Sequence, residues 1–170
     1  MTQPPADASL LFKTGDAAED TGDFAFAKSA FERGAALGDQ LCWLRLGLLF
    51  DLGKGLPVDK AEAMRCYRRA WLSRNPAAAN NIAVLYRERG DDRGMLRWYK
   101  KAAAEGDGSA HLDVAKCYLR GVGARANTQA GLRSLAAAVA SDFISEAERE
   151  EAQALLDDLR PCPVSPAGGD

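Results

Sequence analysis

The sequence predicts an all-α protein, a right-handed α-α superhelix of about four helix pairs closed by a C-terminal helix. Three observations carry this expectation. The 170 residues include 32 Ala and 20 Leu, against six Val, two Ile and four Thr; 52 strong helix formers facing 12 β-branched residues argue against a sheet. Two helix-like strings recur along the chain at regular steps. Between the copies stands Gly followed by Asp or Asn, the residues that end one helix and cap the next.

The first string, an apolar residue, a small residue and an aromatic three positions on, occurs as Leu46-Gly47-x-x-Phe50, Ile82-Ala83-x-x-Tyr86 and Val114-Ala115-x-x-Tyr118. The second, aromatic then mostly basic then small, occurs as Phe31-Glu-Arg-Gly34, Tyr67-Arg-Arg-Ala70 and Tyr99-Lys-Lys-Ala102, with a degenerate copy at Leu135-Ala-Ala-Ala138. From 31 to 47, 67 to 83 and 99 to 115 the step is 16, so the junction between units is constant. Within a unit the step alternates, 20 from 47 to 67 and from 115 to 135 but 16 from 83 to 99. Every other hairpin loop therefore carries four extra residues.

Elements follow in order. The first pair spans about 8–37, turning at Thr21-Gly22-Asp23. The second spans 39–74 with a long loop, Gly53-Lys-Gly-Leu-Pro-Val-Asp59, in which Asp59 and Glu62 have capping-box spacing. The third, 76–105, opens on Asn75-Pro76, a cap followed by Pro at the first helical position. It turns at Gly90-Asp91-Asp92. The fourth, 107–141, follows Gly106-Asp107 and contains the long loop Gly121-Val-Gly-Ala-Arg-Ala-Asn127. A closing helix is expected near 144–160, making 1–160 one repeat domain. Residues 161–170, Pro-Cys-Pro-Val-Ser-Pro-Ala-Gly-Gly-Asp, have no core-forming content and are expected to form a flexible tail. Gly47, Ala83 and Ala115 on first helices, with Ala70, Ala102 and Ala138 on second helices, allow close backbone approach. A single hairpin cannot bury its apolar stripe, whereas stacked hairpins share a continuous core.

The run Leu46-Gly47, Phe50, Gly53-x-Gly55, Asp59, Ala63, Tyr67 and Ala70 resembles the Sel-one-like repeat, a variant of the tetratricopeptide repeat with a longer loop and a Gly-x-Gly turn. The fourth pair resembles it through Val114-Ala115, Tyr118, Gly121-x-Gly123 and Asn127. Ala83 and Ala115 stand where the family has Gly, and Cys66 and Ser134 where it has Trp. The resemblance implies a non-enzymatic module that binds other proteins, often as an adaptor or scaffold.

Residue chemistry points the same way. Net charge is −2, which gives no drive toward nucleic acid or anionic membranes. No uncharged apolar stretch approaches the ~20 residues needed to span a bilayer. The opening residues lack the basic and apolar regions of a secretory signal, so a cytoplasmic location is expected. Cys42, Cys66, Cys117 and Cys162 form no C-x-x-C pair, so no metal site is expected and the first three read as small core hydrophobes. His111, the single His, has no nucleophile or acidic partner at catalytic spacing. Gly53-Lys-Gly55 follows a helix and lacks a phosphate-loop pattern. The carboxylates from Glu146 to Asp158 have the spacing of a solvated helix face. No cofactor is expected.

The partner-binding groove is expected on the first helices. Counting from the small residue places Phe12, then Leu44, Leu48, Asp51 and Leu52, then Asn80, Val84, Arg87 and Glu88, then Leu112, Lys116, Leu119 and Arg120 on one face. Asp16, Glu19 and Asp20 extend it. Residues 1–23 hold five acids and one base, 142–160 seven acids and two bases, and the stretch between 19 bases and 11 acids. A leucine-rich floor between charged ends suits a peptide or helix of another protein. Two alternatives remain at this point, a dedicated inhibitor or immunity-type protein with one partner, and RNA binding through Arg65, Arg68, Arg69, Arg97, Lys100 and Lys101 on the outer face. Against RNA stands the absence of exposed aromatics among those bases.

Overall fold

A computed structural model describes residues 7–159. Among these residues there are nine α-helices and no strand: α1 (Ala8–Asp20), α2 (Phe24–Ala36), α3 (Gln40–Leu52), α4 (Lys60–Ala70), α5 (Pro76–Glu88), α6 (Asp92–Ala104), α7 (Gly108–Arg120), α8 (Thr128–Ala140) and α9 (Glu146–Leu159). A 3₁₀ turn, Trp71–Ser73, prolongs α4. The helices pair as α1 with α2, α3 with α4, α5 with α6 and α7 with α8; each second helix then packs on the next first helix, and α9 packs on α8. The result is an all-α superhelix. The expected tail 161–170 and Cys162 lie outside the described residues.

Local chemistry sets each start. All of α1 to α8 begin with Asp or Asn, and each side chain accepts a hydrogen bond from a backbone N–H of the first turn, as Asp39 does from Cys42 at 2.9 Å. Such caps contribute about 1 kcal/mol each. The capping box expected at Asp59 and Glu62 is corrected. Asp59 caps α4, but its own N–H donates to the carbonyl of Phe50 at 2.9 Å, and Glu62 turns to Arg65. The reciprocal pair occurs instead at α9, where the N–H of Ser145 donates to Glu148 Oε2 at 3.2 Å and the N–H of Glu148 to Ser145 Oγ at 3.3 Å.

The two long loops are built alike. The bond from Asp59 N–H to Phe50 is matched by one from Asn127 N–H to Tyr118, also 2.9 Å. The second glycine of each Gly-x-Gly lies on the start of the preceding second helix. A Cβ on Gly55 would stand 2.3 Å from Cβ of Phe24, and one on Gly123 would stand 2.3 Å from the Asp92 carbonyl oxygen. Both glycines also hold positive φ, 69° and 72°, so side-chain bulk and backbone conformation exclude other residues together.

The small residues of the first helices seat the rings of the second. Gly47 meets Tyr67, and Gly15, which the sequence reading does not include in that column, meets Phe31 in the same way. The core runs through the stack in three parts: Phe31, Cys42, Leu46, Leu49 and Cys66 toward the N-terminus; Tyr67, Ile82, Leu85, Met95, Tyr99 and Val114 in the middle; and Leu112, Leu135 and Leu156 where α9 closes the end. Burying each large apolar side chain contributes about 1.5 to 3 kcal/mol.

Candidate functional site

The first-helix face divides into a covered part and an open part. Phe12 is half-buried, its ring 6.1 Å from that of Phe31. Leu44 and Leu48 are half-buried against the central core rather than forming an open floor. Leu112 is a clear correction: it is 2% exposed, packed with Leu135 and Leu156, because α9 occupies the place a fifth first helix would take. Leu119 is half-buried against the same cluster. Val84 is half-buried, and Asn80 is half-buried with an Oδ1 that has no partner among the described residues. Leu52, at 58% exposure, is the leucine of this face that remains open.

The charged residues are mostly tied to one another. Asp51 accepts from the Tyr67 hydroxyl at 2.9 Å and from Lys60 Nζ at 2.7 Å. Lys60 also pairs with Glu88 at 2.9 Å, and these two carboxylates push the Lys60 ammonium above its usual range, the Asp51 hydrogen bond most. At the N-terminal end Arg45 pairs with Asp16 and Glu19, and Lys54 reaches Glu19 at 2.7 Å. Asp16 and Glu19 of the acidic end expected there are thus neutralised within the chain, while Asp20 is exposed. Toward the C-terminus Lys116 pairs with Glu151 of α9 at 2.8 Å.

What stays open is a cavity of about 360 Å³ between α5 and α7, floored by α6 and walled by Arg87, Asp92, Tyr99, Asp113, Lys116 and Arg120 over Met95, Cys117 and Val122. Arg87 Nη1 donates to the Tyr99 hydroxyl at 3.4 Å. Burial raises the Asp113 carboxyl above the usual carboxylate range, while Lys116, Arg87 and the hydrogen bond from Tyr99 act against it. Burial also lifts the Tyr99 phenol to about 12. Three of these wall residues, Arg87, Lys116 and Arg120, are on the face the sequence marks. Asp113 is not, yet its signal was present: it lies two before Ala115, and positions 113, 116 and 120 are three and four apart, so they share one helix face.

The remaining candidates have ordinary settings. Burial first of all lowers the His111 imidazole, and the residue is half-buried. Cys42, Cys66 and Cys117 are buried free thiols pushed up to about 12, 12 and 11, desolvation being the largest cause in each. Among the described residues no group of three or more His, Cys, Asp or Glu is arranged to hold a metal ion. None of the described helices is long and apolar enough to cross a membrane.

No family model matches the chain. It is 32% identical over 99 residues to an uncharacterised protein of Neisseria meningitidis serogroup B, a stretch that covers 58% of this chain and 21% of that protein. The chain thus spans about a fifth of the length of that curated relative. Among solved structures it resembles a Sel1 repeat protein from Oxalobacter formigenes, with a TM-score of 0.74 at 23% identity, covering 89% of this chain and 61% of the other. It resembles c5321, a protective antigen present in uropathogenic Escherichia coli strains and displaying an SLR fold, with a TM-score of 0.75 at 21% identity, covering 89% and 33%. MamA superposes with a TM-score of 0.59 at 18% identity, covering 89% and 82%. The fold is therefore that of the helical-repeat solenoids. Within that class the chain has the Sel1-like repeat architecture.

Proposed function

We propose that this chain is a non-enzymatic protein-binding module that holds an extended segment of a partner along its first-helix face. The observation that carries the reading is the cavity between α5 and α7, where two arginines, a lysine, a tyrosine, the half-buried Asp113 and the exposed Asp92 converge from three helices on an apolar floor. Polar groups fixed over an apolar floor are what orients a ligand in a groove. Arg87 and Arg120 suit a carboxylate of the segment, Asp113 suits a donor such as a backbone N–H, and Leu52 continues the face toward the N-terminus. Binding rather than catalysis is supported by the chemistry of the nucleophiles: the described thiols are buried and their pKa values are raised, so they are protonated at neutral pH. An adaptor returns several partners on affinity capture and a dedicated inhibitor returns one.

The test is charge reversal. Once a partner segment is in hand, Arg120→Glu should weaken it at least tenfold and reduce the salt dependence of association, because a partly screened charge acts on encounter as well as on the bound state. Arg33→Glu on α2 makes the same change in net charge away from the cavity and should leave affinity within twofold. Equal effects from the two would refute the assignment.

A further inference from the structure

The outer, second-helix face holds a separate cavity of about 370 Å³ between α6 and α8. Its floor is His111, Val114 and Tyr118 of α7, its sides are mostly alanine, and Lys100 and Arg133 stand at opposite rims. A smaller depression of about 250 Å³ continues from it past Tyr118 and Lys100 to Arg97 and Arg93. No carboxylate lines either one. Among the described residues these four cations form no ion pair, in contrast to Arg45, Lys54, Lys60 and Lys116 on the other face. Four unpaired cations along one channel produce a positive potential that attracts an anionic chain. The seat between Lys100 and Arg133 is lined mostly by apolar atoms and has room for a large side chain.

The channel could attract either an acidic polypeptide or a single-stranded nucleic acid, and the aromatic residues distinguish them. A nucleic acid needs open ring faces on which bases stack. The three tryptophan rings of the chain are already covered by the protein's own cations: Lys101 Nζ lies 3.8 Å from the centroid of the Trp98 ring, and the guanidinium carbons of Arg74 and Arg69 lie 5.4 Å and 5.7 Å from the centroids of Trp71 and Trp43. The alanine sides of the cavity offer contact to an aliphatic or aromatic side chain; the rings left for stacking are His111 and Tyr118, both half-buried in its floor, and a uridylate probe tests whether they take bases.

We propose that the groove between α6 and α8 is a second binding site, which takes an extended acidic segment of a protein and seats one apolar side chain between Lys100 and Arg133. It is independent of the first-helix cavity, since the two share none of their lining residues.

The probe is a fluorescein-labelled heptapeptide with leucine at its centre and three glutamates on each side, titrated into the full chain by fluorescence anisotropy. Saturable binding that weakens as salt rises is expected. Lys100→Glu and Arg133→Glu, both at exposed positions, should each weaken it tenfold or more, and Ala104→Phe should do so without a charge change by filling the seat. Replacing the peptide's leucine with serine should also weaken it tenfold. Arg33→Glu and Arg87→Glu should leave it within twofold, which separates this site from the first-helix cavity. The proposal is overturned if the peptide does not bind, if Arg33→Glu weakens it as much as Lys100→Glu does, if the serine peptide binds equally well, or if a labelled heptauridylate binds more tightly than the peptide. Circular dichroism melting curves of the variants, matched to the parent, ensure that lost binding reflects the groove.

Discussion

Gly47 lies directly against the ring of Tyr67: a Cβ at residue 47 would stand 2.4 Å from Tyr67 Cε1. That contact closes the α3/α4 hairpin, and the Tyr67 hydroxyl then reaches Asp51 one turn further along α3. Alanine in a helix interior is ordinarily favoured over glycine by about 0.5 to 1 kcal/mol, but no side-chain carbon fits here without moving a fully buried ring. Gly47→Ala should therefore destabilise, by about 1 to 3 kcal/mol, the usual range for overpacking a core. Urea denaturation measures it. A stabilised variant would show that the ring yields freely.

Leu48 and Leu52 are one helical turn apart on α3 and should respond oppositely to charge. Leu48 is half-buried against the central core, so Leu48→Glu should cost about 1 to 3 kcal/mol, because the core offers the carboxylate no compensating partner. Leu52 is open to solvent, and Leu52→Glu should change stability by less than about 0.5 kcal/mol. Thermal melts of the two variants check the contrast. Leu52, rather than Leu48, is consequently the position at which a groove contact can be tested without unfolding the protein.

Two carboxylates should give opposite pH signatures. Glu148 is held below its usual range chiefly by the Ser145 hydroxyl, with Ser109 adding to it. Its stabilisation is present above the ordinary glutamate pKa and is lost as pH falls through the lower folded-state value. Asp113 is raised by burial. Its charged form is penalised in the folded state, so its contribution improves as pH falls through the raised value. Compared with the parent, Glu148→Gln should lose most stability at pH 7 and least at pH 3, while Asp113→Asn should compare best at pH 7 and lose that advantage at pH 3. Urea midpoints at the two pH values decide both signs.

The buried thiols supply a third pH signature and a labelling test. Burial pushes the Cys42, Cys66 and Cys117 thiols up to about 12, 12 and 11, above the ordinary thiol value. Stability should be fully present below pH 8.5 and should decline as pH rises toward 11, because unfolded thiols ionise first. In a Cys162→Ser background, iodoacetamide at pH 8 should leave all three unmodified in the native protein and label all three in urea. Rapid native labelling of any of them would contradict its burial.

Local features were the most legible in the sequence. A cap needs only an Asp or Asn beside its own helix, so the positions from Asp23 to Asn127 can be read without knowing what packs on what. The alternation of hairpin loops follows from counting between Gly47, Tyr67, Ala83 and Tyr99. Gly15 was readable as well, since it precedes Phe31 by the same 16 residues that separate Ala83 from Tyr99. Tertiary cover was not legible. Leu112 carries the same helical register as Leu44, and only the docking of α9 buries it fully. The salt bridges from Arg45 to Asp16 and from Lys116 to Glu151 join residues far apart in the chain, so the charge they remove from the first-helix face appears only once the helices are stacked. The open part of the first-helix face is consequently a polar cavity around Arg87 and Arg120 rather than a leucine floor.

The proposed place of the partner segment is the first-helix face between α5 and α7. It is tested most directly by photo-crosslinking, with benzoylphenylalanine introduced at Arg120 in one variant, at Leu52 in a second and at Arg33 in a third, each expressed in the native cell and irradiated there. A discrete protein adduct from positions 120 and 52, mapped by mass spectrometry to one contiguous acidic segment of the captured protein and absent from position 33, is the predicted result. An adduct from position 33 with none from 120 or 52 would place the partner elsewhere and contradict the account.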